Sequence, residues 1–233
     1  MNQPIHIADL PILRPGDRMD RDEFERRWDA MSHLKHAELI DGVVYMPSPT
    51  SLDHGDAHGM IAIWFAQYIQ HTPLVKMSIT PSVRMDQRNQ PEPDMTLRIT
   101  SANLQRSVRE GNLLRGAPEL VVEVSITSAA HDRGAKRDLY ERMGVQEYLI
   151  YRPEEQLLEW FHLRDGSYQP LTADSNGIFR SEVFPGLWLN SQGLIEEAPS
   201  LLLQSVQQGI TTPEHAAFVA RLQAAAAQPE TPS

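Results

Sequence analysis

Apolar residues along this chain recur with two different periods, and the switches between them outline its elements. In "DRMDRDEFERRWDA" (17–30) they are sparse. Phe24, Trp28 and Met31 follow spacings of four and three, which predicts a short amphipathic helix. In "AELIDGVVYMPSP" two apolar runs flank Asp41-Gly42, a strong signal for a two-residue hairpin turn. Helical spacing returns in "SPTSLDHGDAHGMIAIWFAQYIQ", where Ile61, Trp64, Phe65, Tyr68 and Ile69 form one stripe and Ser51 stands at the cap. "LVKMSI", "SVRM" and "DMTLRI" read as short strands.

The polar stretch "SANLQRSVREGNLLRGAP" reads as a loop or a short helix. "ELVVEVS" (119–125) is the clearest buried strand. "DRGAKRDLYERMG" (132–144) is predicted helical, with Gly144 placed to end it in a left-handed conformation. "QEYLIYR" (146–152) is a strand stopped by Pro153, and "QLLEWFHLRDGSYQPL" a hairpin through Asp165-Gly166. "FPGLWL" reads as one more short strand. From about residue 194 the chain turns Ala- and Gln-rich, which predicts two weak helices and a frayed Pro-Ser end. This order of elements indicates an α/β or α+β domain with a mixed sheet, not a bundle or a sandwich.

Composition narrows the functional classes. A chain of 233 residues supports one sizeable core. No apolar run approaches the ~20 residues of a membrane span, and the N-terminus lacks the basic start and apolar block of a signal peptide. The absence of cysteine excludes disulfides and thiolate metal sites and suits a cytoplasmic location. A formal net charge of -10 leaves no overall basic surface for phosphates. A nucleic-acid partner would therefore need a local basic patch, an oligomer, or bound cations.

Strand alternation points to candidate chemistry. In "ELVVEVS", Val121, Glu123 and Ser125 share one face, and a glutamate inside so apolar a strand is costly unless partnered. In "PDMTLRI", Asp94, Thr96 and Arg98 share one face. On the helix, Lys136, Leu139, Tyr140 and Met143 fall on one otherwise apolar side, so Lys136 points inward while Arg133 and Arg137 can reach solvent. Two carboxylates on neighbouring strands can bind a hard cation such as Mg²⁺. The lysine can orient or deprotonate water, or stabilise charge on phosphoryl oxygens. Metal-assisted phosphodiester hydrolysis needs these parts.

The run "PEPDMTL … APELVVEVS … HDRGAKRDLYERMGVQEYLIY" resembles the PD-(D/E)XK nuclease superfamily, and more narrowly its Uma-type restriction endonuclease family. "AELIDGVVYMPSPTSLDH" is similar to that family's upstream pattern, one residue tighter around "VYMP". The resemblance covers roughly residues 35 to 190. It implies a restriction-endonuclease-like core, a mixed central sheet flanked by helices, with an N-terminal hairpin and a helical C-terminal tail. It also implies metal ligands at Asp94 and Glu123, catalysis by Asp94, Glu123 and Lys136, and support from Glu38 and His54. Ser125 stands where the broad superfamily has its lysine, and Lys136 on the next helix fills that place. Ile126 replaces an expected proline. The implied divisions are an extension with a short helix (1–34), the nuclease domain (35–192) and a helical C-terminal extension (193–233).

The expected activity is Mg²⁺-dependent endonuclease action on DNA, with Mn²⁺ as a substitute ion and a homodimer as the acting form. The alternative is a catalytically inactive nuclease-like scaffold that binds nucleic acid or protein, for which the acidic balance and the missing E-X-K lysine speak. A glycosidase would use the two carboxylates but leave Lys136 without a role. His54 and His58, four apart, have a spacing that can bind zinc, but "HGDAH" lacks the glutamate that metalloproteases place after the first histidine. Glu92 lies on the turn with no matching partner and is set aside.

Overall fold

The computed structural model describes residues 11–46, 51–125 and 132–228. Helix α1 (Arg21–Asp29) is capped by Asp20, whose carboxylate accepts from the Glu23 amide, and it buries Phe24. Strands β1 (Glu38–Ile40) and β2 (Val43–Tyr45) form the expected hairpin. Asp41 and Gly42 both have positive φ, 51° and 76°, as a type I′ turn requires. Helix α2 (Leu52–His71) follows, with Ser51 Oγ accepting from the His54 amide at 3.3 Å.

The central sheet contains β3 (Val75–Ile79), β5 (Met95–Ile99), β8 (Leu120–Val124), β9 (Glu147–Arg152), β10 (Leu157–Arg164) and β11 (Ser167–Pro170). Their spatial order is β11-β10-β9-β8-β5-β3. Strands β8 and β9 run parallel and all other neighbours antiparallel. The sheet is therefore mixed, as the sequence predicts. The parallel pair is joined through a π-helical turn (Asp132–Lys136) and helix α3 (Arg137–Met143). Gly144 ends α3 at φ 80°, in the left-handed conformation expected of it.

Residues 101–118 depart from the expected loop or short helix. They form a hairpin of β6 (Ser107–Glu110) and β7 (Leu113–Gly116), and β7 also pairs parallel with β4 (Val83–Arg84). The hairpin turns at Gly111, φ 61°. Its strands are mostly solvated, so they carry little apolar alternation to reveal them, and the pairing with β4 is a long-range choice. Gly116, φ 94°, has backbone so close that an added Cβ would lie 2.5 Å from the Arg106 carbonyl oxygen.

Beyond the sheet, β12 (Ile178–Arg180) pairs with β13 (Trp188–Asn190), so the strand expected at "FPGLWL" begins only at Trp188. Helices α4 (Ser191–Ile195), α5 (Pro199–Gly209) and α6 (Pro213–Ala226) follow. The frayed end expected at 229–233, Ile126 and the segment between β2 and Ser51 lie outside the described residues.

Two hydrophobic layers sandwich the sheet. On one face, Trp64, Phe65 and Tyr68 of α2 pack with Leu97, Val122 and Leu149, together with Leu202, Val206, Phe218 and Leu222 of the C-terminal helices. Burial of each such side chain contributes roughly 1.5–3 kcal/mol. On the other face Tyr140 and Val145 cover Val121, Tyr148 and Ile150. A third cluster, with Phe24, Leu39 and Val44, seats the N-terminal hairpin. The anchoring of α3 and of that hairpin is what brings distant polar residues to one end of β8.

Candidate active site

Glu123 sits one residue before the C-terminal end of β8, only 4% exposed. Its Oε1 accepts from Lys136 Nζ at 3.1 Å and from the Tyr140 hydroxyl at 2.8 Å. Lys136 also pairs with Glu38 Oε1 at 2.9 Å. Glu38, on the N-terminal hairpin, in turn accepts from the Glu92 amide at 2.7 Å. Three segments distant in sequence thus converge on one buried ammonium. Removing an ammonium from water is costly, and two carboxylates in contact offset that cost. Among the described residues, two carboxylates share this one lysine.

Tyr140 is held in its neutral, donating form. Burial first, and then the charge of Glu123, push its pKa well above the ordinary range. Glu92 shows the cost of adding a further charge. Burial pushes its carboxyl up to about 8, Glu38 reinforces the shift and Lys136 opposes it. His36 Nδ1 lies 3.1 Å from Glu92 Oε2 at the outer side. Glu92 therefore holds its proton more tightly than an ordinary carboxyl, while its backbone amide donates to Glu38.

Asp94 lies just before β5. Met95 pairs with Val122 and Thr96 with Val121, and the same register continued by one residue sets Asp94 opposite Glu123. Asp94 Oδ2 accepts from the Val124 amide at 2.7 Å. His54 and His58 approach from α2, with Nε2 atoms 3.4 Å from Oδ2 and 3.3 Å from Oδ1. Their rings are stacked at a tilt, 4.2 Å between centroids. Burial alone would raise the Asp94 carboxyl, but the two imidazoles more than offset it and hold it below the usual carboxylate range. One ligand atom from each of His54, His58 and Asp94 can be chosen so that all lie within 4.8 Å of one another, a set that could hold a metal ion.

The structure thus brings Glu123, Lys136 and Glu38 into direct contact, and Asp94 together with His54. Lys136 points inward, 7% exposed, while Arg137 lies over the Phe161 ring at 4.6 Å and is only half-exposed. Three residues at the site do not stand out in the sequence. Tyr140 reads there only as part of the packing face of its helix. Its place one turn after Lys136 is the available signal, since a phenol on an inward face needs a partner. His58 reads only as half of a zinc pair, because nothing local ties it to Asp94. Glu92 reads as lacking a partner; the register of the β1–β2 hairpin against residue 90 supplies one, with Leu39 and Gln90 bridged.

The fold is that of an α/β protein with a mixed sheet flanked by helices, and it sets Asp94 opposite Glu123 with Lys136 turned inward beside it. The family profile Uma2, described as "Putative restriction endonuclease", matches residues 21–192, and the chain belongs to that family. Similar in fold is a solved structure from Anabaena variabilis ATCC 29413, titled as a putative nuclease belonging to DUF820. It superposes with a TM-score of 0.55 at 14% identity, over 72% of this chain and 96% of the other. That likeness is one of fold. No curated protein matches the chain.

Proposed function

We propose that the protein is a metal-dependent endonuclease that hydrolyses phosphodiester bonds in DNA. Asp94 and Glu123 would hold a divalent ion, Mg²⁺ or Mn²⁺, with Lys136 as the catalytic cation and Glu38 and His54 in support. The observation that carries this reading is the Lys136 ammonium, buried between Glu38 and Glu123 at the strand end where Asp94 stands opposite Glu123. The residues fit a divalent ion, because the carboxylate oxygens of Asp94 and Glu123 suit a hard cation. Once bound there, such an ion supplies Lewis acidity toward a phosphoryl oxygen and the attacking water.

The chain's own groups do the rest. Lys136 stabilises charge developing on the phosphoryl oxygens and orients the attacking water. Tyr140 fixes Glu123 Oε1, and so fixes the lysine. Double-strand cleavage by one site per chain further favours a two-fold dimer.

Purified protein should nick and linearise plasmid DNA with Mn²⁺ or Mg²⁺, and Glu123→Ala should abolish this. DNA left intact by the wild-type protein under both ions would sink the reading. It would favour the alternative of a nuclease-like scaffold that only binds, for which Ser125 at the usual lysine position is the supporting feature.

A further inference from the structure

We propose that the ion held at Asp94 is bound through the two imidazoles of His54 and His58, and that the site therefore selects a first-row transition ion over Mg²⁺. Three observations converge. His54 and His58 are four apart near the start of α2, so they stand one above the other on a single face. Both Nε2 atoms are turned to the same carboxylate, at 3.4 and 3.3 Å. An ion bonded at about 2.0–2.1 Å spaces tetrahedral ligands about 3.3–3.4 Å apart, so the nitrogens already lie near ligand separation from Asp94. The two short contacts reach different carboxylate oxygens, and Oδ2 is engaged by the Val124 amide. Oδ1 is thus the oxygen left for an ion.

His58 supplies the third observation. Its Nε2 is buried and, though 3.3 Å from Asp94 Oδ1, makes no aligned hydrogen bond. The contact with Asp94 is thus electrostatic but poorly aligned for a hydrogen bond, and an ion between nitrogen and oxygen would give both atoms a directed bond.

The donor set decides the ion. Mg²⁺ is hard, prefers oxygen and gains little from imidazole, whereas Mn²⁺ and Zn²⁺ accept it, Zn²⁺ more tightly. With Glu123 as a fourth protein ligand, a five- or six-coordinate ion keeps positions open for water or a phosphoryl oxygen. The inference rests on the metal-dependent reading above for its place in the reaction. The binding itself is testable apart from cleavage.

The experiment is calorimetric titration of the metal-stripped full chain with ZnCl₂, MnCl₂ and MgCl₂, for wild type and His58→Ala. Pulsed EPR of the bound Mn²⁺ provides a direct readout of ligation. Expected are affinities in the order Zn²⁺, Mn²⁺, Mg²⁺, spanning at least roughly 100-fold. Nitrogen couplings should appear in the Mn²⁺ spectrum, and His58→Ala should weaken Zn²⁺ by roughly 10–100-fold with its circular dichroism unchanged. A poorly folded His58→Ala leaves the wild-type EPR spectrum to decide. Mg²⁺ binding as tightly as Mn²⁺, or a Mn²⁺ spectrum without nitrogen couplings, overturns the proposal. No cleavage with any ion, but nitrogen couplings present, supports this site and fails the nuclease reading. Cleavage with Mg²⁺ equal in wild type and His58→Ala, without couplings, does the reverse.

Discussion

The two ends of the parallel strand pair β8 and β9 treat buried glutamates in opposite ways. At the end where both strands begin, Glu119 and Glu147 are fully buried and answered by neutral donors. Glu119 accepts from the Ile99 and Arg106 amides, and Glu147 from the Glu182 and Val183 amides and the Ser181 hydroxyl. At the end where β8 finishes, Glu123 is answered by a lysine and a phenol, with Glu38 sharing that lysine and Asp94 next to it in register. The residue type is the same and the depth similar. The partners differ: amides and a hydroxyl at one end, a lysine, a phenol and neighbouring carboxylates at the other. In this fold, burial of an acid alone does not mark a site.

That contrast can be broken from either side. The largest effect is expected for Glu123→Ala, which should lower the DNA cleavage rate by at least roughly 10²-fold. Glu147→Ala should leave the rate per folded molecule unchanged in the same plasmid assay. If both variants lost activity alike while folded, the functional division between the ends would be wrong. For stability the order reverses within the site: Lys136→Ala leaves Glu38 and Glu123 buried without their shared cation and should cost about 3–5 kcal/mol. Chemical denaturation of Lys136→Ala beside Lys136→Arg measures this, and a partial rescue by arginine is expected.

A smaller effect tests the acids at both ends together. Burial raises Glu92 to about 8 and Glu147 to about 7, from an ordinary 4.5. The folded state thus holds these protons more tightly than the unfolded chain. Their contribution to stability is full below about pH 4.5 and is lost as the pH rises through 7 and 8. Stability measured from pH 5 to 9 should therefore carry a falling component. Glu92→Gln should flatten it by roughly 1–4 kcal/mol, since each tenfold gain in proton affinity on folding is worth about 1.4 kcal/mol. An unaltered slope would show that Glu92 is already ionised. Least of all, Tyr140→Phe removes one hydrogen bond to Glu123 and should cost about 1–2 kcal/mol. Its cleavage rate should fall by no more than roughly tenfold, with Zn²⁺ affinity unchanged by calorimetry.

Much of this arrangement is legible in the chain. Asp41-Gly42 predicts the hairpin that carries Glu38, and Ser51 the start of the helix that carries His54. The alternation of "ELVVEVS" predicts that Glu123 needs a partner, and the 136–140–143 spacing turns Lys136 toward it. Two features resist such a reading. The β6–β7 hairpin has too little buried face to show a period of two. Glu92 reads as a turn residue because it lies between prolines in a polar stretch, while the charges that act on its carboxyl come from Glu38 and Lys136.

By itself the sequence determined most of the elements, though not the β6–β7 hairpin, together with the inward lysine, the costly glutamate and the resemblance to a nuclease family. These follow from local periodicity, turn chemistry and motif order, all of which act within a few residues or are read directly along the chain. Only the tertiary structure decided the partners: which carboxylates share Lys136, that Tyr140 holds Glu123, and that two stacked imidazoles both turn to Asp94. The ion pairs of Lys136 with Glu123 and Glu38 alone join positions 13 and 98 residues apart. Such contacts depend on strand register and helix docking, which long-range packing sets and local pattern does not encode.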